Sequence, residues 1–113
     1  MALFAMAVPI LPGKTQQWER FAAELKGARS QEFKASRKRL EVRERTFLQK
    51  TPHGDFVVVT LEGNDPTGAF QKFAAGSDAF TQWFVKEVKE VHGFDLAAPP
   101  PGPLPTLVVD SGA

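Results

Sequence analysis

Cysteine and tyrosine are absent from this sequence of 113 residues, and only two histidines occur in it. Without cysteine, a disulfide framework, a thiolate metal site and a cysteine nucleophile are all excluded. Two histidines also weigh against a self-contained zinc site. We therefore expect no metal site and no resident cofactor.

Long apolar runs are absent as well. None approaches the roughly 20 residues that a membrane-spanning helix requires. Residues 1–10 lack the basic start and the small-residue cleavage pattern of a signal peptide. We expect a cytoplasmic protein without a membrane partner. Its length suits one domain, since domains run to about 100–200 residues, and ten phenylalanines give that domain an aromatic core.

Charge is unevenly distributed although the net charge is only +1. Residues 1–50 carry 11 Lys+Arg against 5 Asp+Glu, and residues 51–113 carry 3 against 8. Clusters such as Arg37-Lys38-Arg39 can mark nucleic-acid or anion-binding patches. A nucleic-acid domain usually has a pI above about 9, whereas the pI here is near 8.1. We therefore expect no nucleic-acid partner and two charged halves that neutralise each other within the domain or across a dimer.

Four segments have the composition of β-strands. Residues 3–8 and 56–61 are apolar on both faces, which is typical of buried strands. Residues 42–50 mix polar and apolar side chains and predict an exposed or edge strand. The turn-forming residues 51–55 join this strand to 56–61, so the pair is predicted to be a hairpin with a loop of four or five residues. Residues 106–110 form the fourth candidate strand.

In the segments between these strands, apolar residues recur at the spacing of an α-helix. A stripe that includes Trp18, Phe21 and Leu25 predicts an amphipathic helix from Lys14. It is followed by a second stretch over 30–39, and either one kinked helix or two helices fit the pattern. Asp65-Pro66 is a strong helix start. The last helix is predicted over 78–92.

The order of elements predicts an α+β fold of the ferredoxin-like βαββαβ type. Right-handed crossovers then give a four-stranded antiparallel sheet, with the first and third strands central and the helices on one face. The predicted domain covers residues 1–96. Residues 97–105 contain five prolines and form a stiff connector, and residues 106–110 return as an edge strand of the same domain.

Helices on one face leave the other face of this sheet bare. It would present either Leu3-Ala5-Ala7 or Phe4-Met6-Val8, with one alternating set from the strand 56–61. An apolar patch of several hundred Å² exceeds what monomers usually expose. We therefore predict a homodimer in which two sheets pack face to face.

Several motifs carry a resemblance to a known superfamily. They are Leu11-Pro12-Gly13-Lys14, Ser36-Arg37-Lys38-Arg39, the run 47–55, Glu62-Gly63-Asn64-Asp65-Pro66 and Trp83-Phe84. Over most of residues 3–96 the chain resembles small bacterial proteins of the dimeric α/β-barrel superfamily, in a group related to antibiotic-biosynthesis monooxygenase-like proteins. The resemblance implies a dimeric α/β barrel with its ligand cavity between sheet and helices. Phe33 and Thr60 stand where relatives often carry tyrosine, which weakens any mechanism that needs a phenol.

Two residues of the last helix are candidates for the site. Trp83 would line the cavity, or else serve as an ordinary core tryptophan. His92 lies in the last helical turn, where a histidine interacts well with the helix dipole. It is also the candidate catalytic base, and a candidate ligand for haem.

Two arginines are the other ligand-binding candidates. Arg37 on a helix and Arg45 on the following strand could together bind a carboxylate or an enolate, because guanidinium donors match planar anions. The alternative is that both are solvated or paired with acidic neighbours, namely Glu24, Glu41 or Glu44.

Three functional hypotheses follow. The first is a cofactor-independent, monooxygenase-like enzyme that acts on a small aromatic or enolisable compound. The second is a ligand-binding or structural homodimer without catalysis. The third is haem binding through His92, and haem enters only in this alternative.

Overall fold

The chain forms an antiparallel sheet against which four helices are arranged, in a computed structural model that describes residues 2–100 and 102–112. Within these residues the strands are β1 (Ala2–Pro9), β2 (Val42–Thr51) and β3 (Gly54–Gly63). The helices are α1 (Thr15–Lys26), α2 (Ser30–Arg39), α3 (Pro66–Gln71) and α4 (Ala79–His92). The stretch 14–39 is thus two helices, separated at Gly27.

The predicted four-stranded ferredoxin-like sheet is wrong. The sheet has three strands in the order β1-β3-β2, so β3 is central and both β1 and β2 are edges. Residues 106–110 form no strand, and Val108 and Val109 are 86% and 82% exposed. The β-branched composition of this segment favours a strand only where a partner strand accepts its hydrogen bonds. This segment does not pair with the free edge of β1, so β1 is an edge strand and not a central one.

The hairpin of β2 and β3 is tighter than predicted. The pairing continues to Thr51 opposite Gly54, which leaves a loop of only Pro52 and His53. Gly54 has a φ of +131°, a value open to glycine but not to ordinary residues. The Thr51 hydroxyl donates to the Gly54 carbonyl and closes the turn.

Local capping signals place α3 and α4 as predicted. The Asp65 carboxylate accepts from the Gly68 amide at 3.1 Å, with Pro66 in the first turn of α3. Asp78 accepts from the Thr81 amide at 3.1 Å and starts α4. Gly93 ends α4 in the left-handed conformation, with a φ of 68°.

The sheet has one covered and one bare face. Phe4, Val57 and Leu61 point from the sheet into an aromatic core under the helices. The pairing register places the alternate residues on the other face, which we call the open face. Its members are Leu3, Ala5, Ala7, Arg43, Arg45, Phe47, Phe56, Val58, Thr60 and Glu62. Of the two sets that the sequence left open, Leu3-Ala5-Ala7 is the one on this face.

None of the helices in the described part of the chain is both long and apolar enough to span a membrane. The absence of a membrane partner and the cytoplasmic location stay predictions.

Candidate functional site

A cavity of about 520 Å³ lies between α1, α2, α4 and the covered face of the sheet. We call it the central cavity. Its walls are mainly apolar, and they include Trp18, Phe21, Phe33, Val57, Val59, Phe84 and Val88. Its polar lining includes Glu44 and Thr46 from β2 and His92 from α4. An apolar space of this size with a few polar groups is the usual form of a small-molecule site.

His92 has one ring nitrogen fixed and the other free. Nδ1 lies 2.8 Å from the carbonyl oxygen of Pro9 at the end of β1. A carbonyl only accepts, so Nδ1 carries the proton and donates it to this bond. Nε2 has no hydrogen-bond partner among the described residues and is the basic nitrogen of this tautomer. Burial lowers the pKa of His92 below its ordinary value of 6.5, with the hydrogen bond to Pro9 opposing part of that effect. His92 is therefore a neutral base at pH 7.

A buried ion pair joins α2 to β2 beside the central cavity. Arg37 Nε donates to Glu44 Oε1 at 2.6 Å, and the two side chains are only 6% and 5% exposed. Arg37 Nη1 also donates to the Ser36 hydroxyl at 2.8 Å. The Thr46 hydroxyl donates to the second Glu44 oxygen at 3.3 Å. The pair fixes the carboxylate at the boundary of the cavity.

Three aromatic rings surround the Arg37 guanidinium. Its central carbon lies 3.9 Å from the ring centroid of Phe73, 4.7 Å from that of Phe84 and 5.0 Å from that of Phe33. Such contacts stabilise a desolvated cation. Arg37 Nη2 is nevertheless buried without a hydrogen-bond acceptor among the described residues. This nitrogen is an unmet donor.

A second, more open space adjoins the central cavity. This groove, of about 660 Å³, runs between the end of α1, α2 and the start of β2. Phe33, Glu44, Leu25 and Lys26 line both spaces. The remaining charged residues of the groove are all cationic: Lys34, Arg37, Lys38 and Arg43, although the register places the Arg43 side chain on the open face. We call it the basic groove.

The four predicted site residues lie in four different places. His92 lines the central cavity, and Arg37 lines the basic groove beside it. Arg45 lies on the open face, 3.8 Å from Glu62 and separated from Arg37 by the sheet. Trp83 lies outside the central cavity, in a shallow surface groove where the Arg29 guanidinium stacks at 4.3 Å from its ring centroid. The structure therefore does not bring Arg37 and Arg45 together.

Glu44 is the residue that sequence reasoning did not place in the site. From the sequence it is one of three candidate partners of Arg37. The signal for its position is the alternation of β2, in which Val42, Glu44 and Leu48 share the covered face while Arg43 and Arg45 lie on the other. A carboxylate on the core-facing side of a strand needs a buried partner.

Neither a metal-binding group nor a similarity to a known protein helps to identify the ligand of the site. Within residues 2–100 and 102–112, no three or more side chains of His, Asp and Glu are grouped so as to hold a metal ion. No protein-family model matches the chain, and no curated protein or solved structure matches it either. The resemblance to the dimeric α/β-barrel superfamily stays a prediction, and function rests on the geometry of the cavity.

Proposed function

We propose that the central cavity binds a small aromatic, enolisable compound and that Nε2 of His92 removes a proton from it. The observation that carries this proposal is the pairing of His92 with an apolar cavity. Its Nδ1 donates a hydrogen bond to the Pro9 carbonyl, so Nε2 is the basic nitrogen. The ring lines the cavity wall. A general base needs this protonation state near neutral pH.

The chemistry that follows proton removal needs no cofactor. The C–H bond breaks, its proton passes to Nε2, and its electrons form an enolate. The enolate can reduce molecular oxygen, so that a CH₂ group and O₂ give a carbonyl group and water. Both the electrons and the protons come from the substrate. The protein contributes binding, orientation and the base.

Exchange of the acidic protons tests this proposal without knowledge of the natural substrate. We choose 2-acetylnaphthalene, a flat aromatic ketone, and follow deuterium incorporation into its methyl group in D₂O by proton NMR. Exchange should be catalysed, and His92→Asn should lower the rate at least about 100-fold, the lower range for general base catalysis. Asparagine keeps a donor for the Pro9 carbonyl. His53→Gln is the control, because His53 lies in the exposed hairpin loop.

The two alternative functions give different results in the same experiments. A non-catalytic binding protein would take up the ketone, seen as quenching of Trp18 fluorescence, without catalysing exchange. A haem protein would shift the Soret band of added haemin, and His92→Ala would abolish that shift. Either result would overturn the proposed reaction.

We also propose that the protein is a homodimer that pairs its open faces. Phe47, Val58 and Ala7 lie side by side across the three strands, with Phe56 in the next row. Phe47 is 55% exposed, a high value for so large an apolar side chain. A second copy of the sheet would cover this apolar end, because a two-fold interface presents the same surface on both sides.

Sedimentation at micromolar concentration tests the dimer. The wild-type protein should sediment at twice the 12.4 kDa chain mass. Val58→Lys should give a monomer, because it places a charge in the centre of the apolar row. Gln49→Lys, on the edge strand β2 in the neighbouring row beside Phe56, is the control and should stay dimeric. A wild-type monomer would exclude the interface.

A further inference from the structure

The basic groove has more positive charge than its own acidic residues neutralise. Lys26, Lys34 and Lys38 line it, and none of them forms an ion pair with a described residue. Its carboxylate, that of Glu44, is already bound to Arg37. The groove therefore attracts an anion, and its field is strongest at low ionic strength.

Arg37, one of the residues that line the groove, has a buried donor without an acceptor among the described residues. Arg37 lines the groove, and its Nη2 is buried and unbonded while Nε and Nη1 are both engaged. Buried donors are almost always satisfied in proteins, so an unsatisfied one calls for an explanation. An acceptor oxygen supplied by a bound molecule would satisfy this nitrogen, with a small opening of the surrounding aromatic rings.

The groove and the central cavity adjoin each other and share part of their walls. Phe33 and Glu44 contribute to the wall of both spaces, together with Leu25 and Lys26. A ligand that extends from one into the other would place an apolar body among aromatic rings and a charged end among the lysines. His92 lies on the wall of the cavity and does not line the groove.

We propose that the protein binds an aromatic carboxylic acid, with its ring in the central cavity and its carboxylate in the basic groove against Arg37. This inference rests on the proposed function, since it assumes that the central cavity is a ligand site, and it names the class of ligand. A carboxylate is the anion that fits, because it is small and planar and a single guanidinium nitrogen can meet one of its oxygens. A polyanion would contact the lysines at the rim without reaching Arg37.

Two probes with the same ring system distinguish the contribution of the groove to binding from that of the cavity. Naphthalene-2-carboxylate and 2-acetylnaphthalene differ in that a carboxylate replaces a neutral acetyl group. Trp18 lines the central cavity, and Trp83→Phe makes it the single tryptophan, so its quenching reports occupation. At low salt the acid should bind at least about tenfold more tightly than the ketone, and 0.5 M NaCl should remove most of the difference.

Charge variants test which side chains produce this preference. Lys34→Gln/Lys38→Gln should weaken binding of the acid about tenfold, as expected for the loss of two exposed ion pairs, and should leave the ketone unchanged. The matched control is Arg39→Gln/Lys50→Gln, which removes the same charge from residues that do not line the groove. Arg37→Gln/Glu44→Gln keeps the net charge and an amide pair, and it should also weaken the acid selectively.

Each contrary outcome has a distinct meaning. Equal affinity for the two probes, or equal losses in both lysine and control variants, would overturn the carboxylate site and leave the cavity proposal standing. Quenching by neither probe would overturn both. A single-stranded 20-mer DNA that displaced the acid with a steep salt dependence would make the groove a polyanion surface, and would overturn the assignment to a small acid.

Discussion

Replacing Glu44 with glutamine tests the energetic role of the buried ion pair. The change keeps the size of the side chain and removes the anion that Arg37 contacts at 2.6 Å. Both side chains are almost fully buried, so solvent screens their attraction little. Breaking such a pair leaves an uncompensated charge and costs about 3–5 kcal/mol. The three phenylalanine rings around Arg37 offset part of that cost, so we expect about 3 kcal/mol.

Urea unfolding followed by tryptophan fluorescence measures this loss. With a slope of about 1–3 kcal/mol per molar urea, a cost of about 3 kcal/mol lowers the midpoint by roughly 1–3 M. Glu62→Gln makes the same chemical change in the pair with Arg45, whose side chains are 42% and 39% exposed at 3.8 Å. That control should cost less than about 0.5 kcal/mol. If Glu44→Gln lost no more unfolding free energy than Glu62→Gln, solvent would screen the buried pair as well as the exposed one. That result would refute the reasoning.

Three further perturbations test the histidine and two backbone positions. As the pH falls below 6.5, the wild-type protein should lose stability relative to His92→Asn in urea titrations at pH 7.5 and 5.0. The reason is that burial lowers the folded-state pKa, so protons bind the unfolded chain first; His53→Gln should show no such difference. Gly63→Ala should cost about 1–3 kcal/mol in the same assay, because its new methyl group meets the Glu41 carbonyl and the Val42 side chain, and an unchanged midpoint would contradict this. Glu41→Gly should gain about 1 kcal/mol, since Glu41 has a left-handed φ of 59°, and a loss would show that its side chain outweighs the strain.

Features encoded by neighbouring residues were predictable from the sequence. The Asp65-Pro66 start of α3, the Gly93 end of α4 and the hairpin of β2 and β3 depend on local chemistry, and all three are present. The fourth strand was not predictable in this way. Its composition suits a strand, but strand formation depends on a partner edge elsewhere in the molecule. Residues 106–110 follow a proline-rich connector and do not pair with β1.

The site was predictable only in part, for a similar reason. His92 and Arg37 were recognised by residue type, and both line the adjoining spaces. The pairing of Arg37 with Arg45 as joint ligands ignored the alternation of β2, which sends Arg45 to the open face. The same alternation sends Glu44 to the covered face. The alternation of side chains along β2 therefore predicts which face Glu44 and Arg45 occupy, and residue type alone does not.

The Arg37–Glu44 pair also distinguishes a ligand site from a purely structural core. An apolar pair of similar volume in a buried position is often neutral or stabilising, because no charge must be desolvated. Arg37→Met/Glu44→Leu should therefore restore most of the stability that Glu44→Gln loses. If the charges serve a ligand, this well-folded variant should still lose its preference for naphthalene-2-carboxylate over the ketone. A stable double variant that kept the preference would assign the pair to the scaffold and leave the rim lysines as the sole source of anion binding.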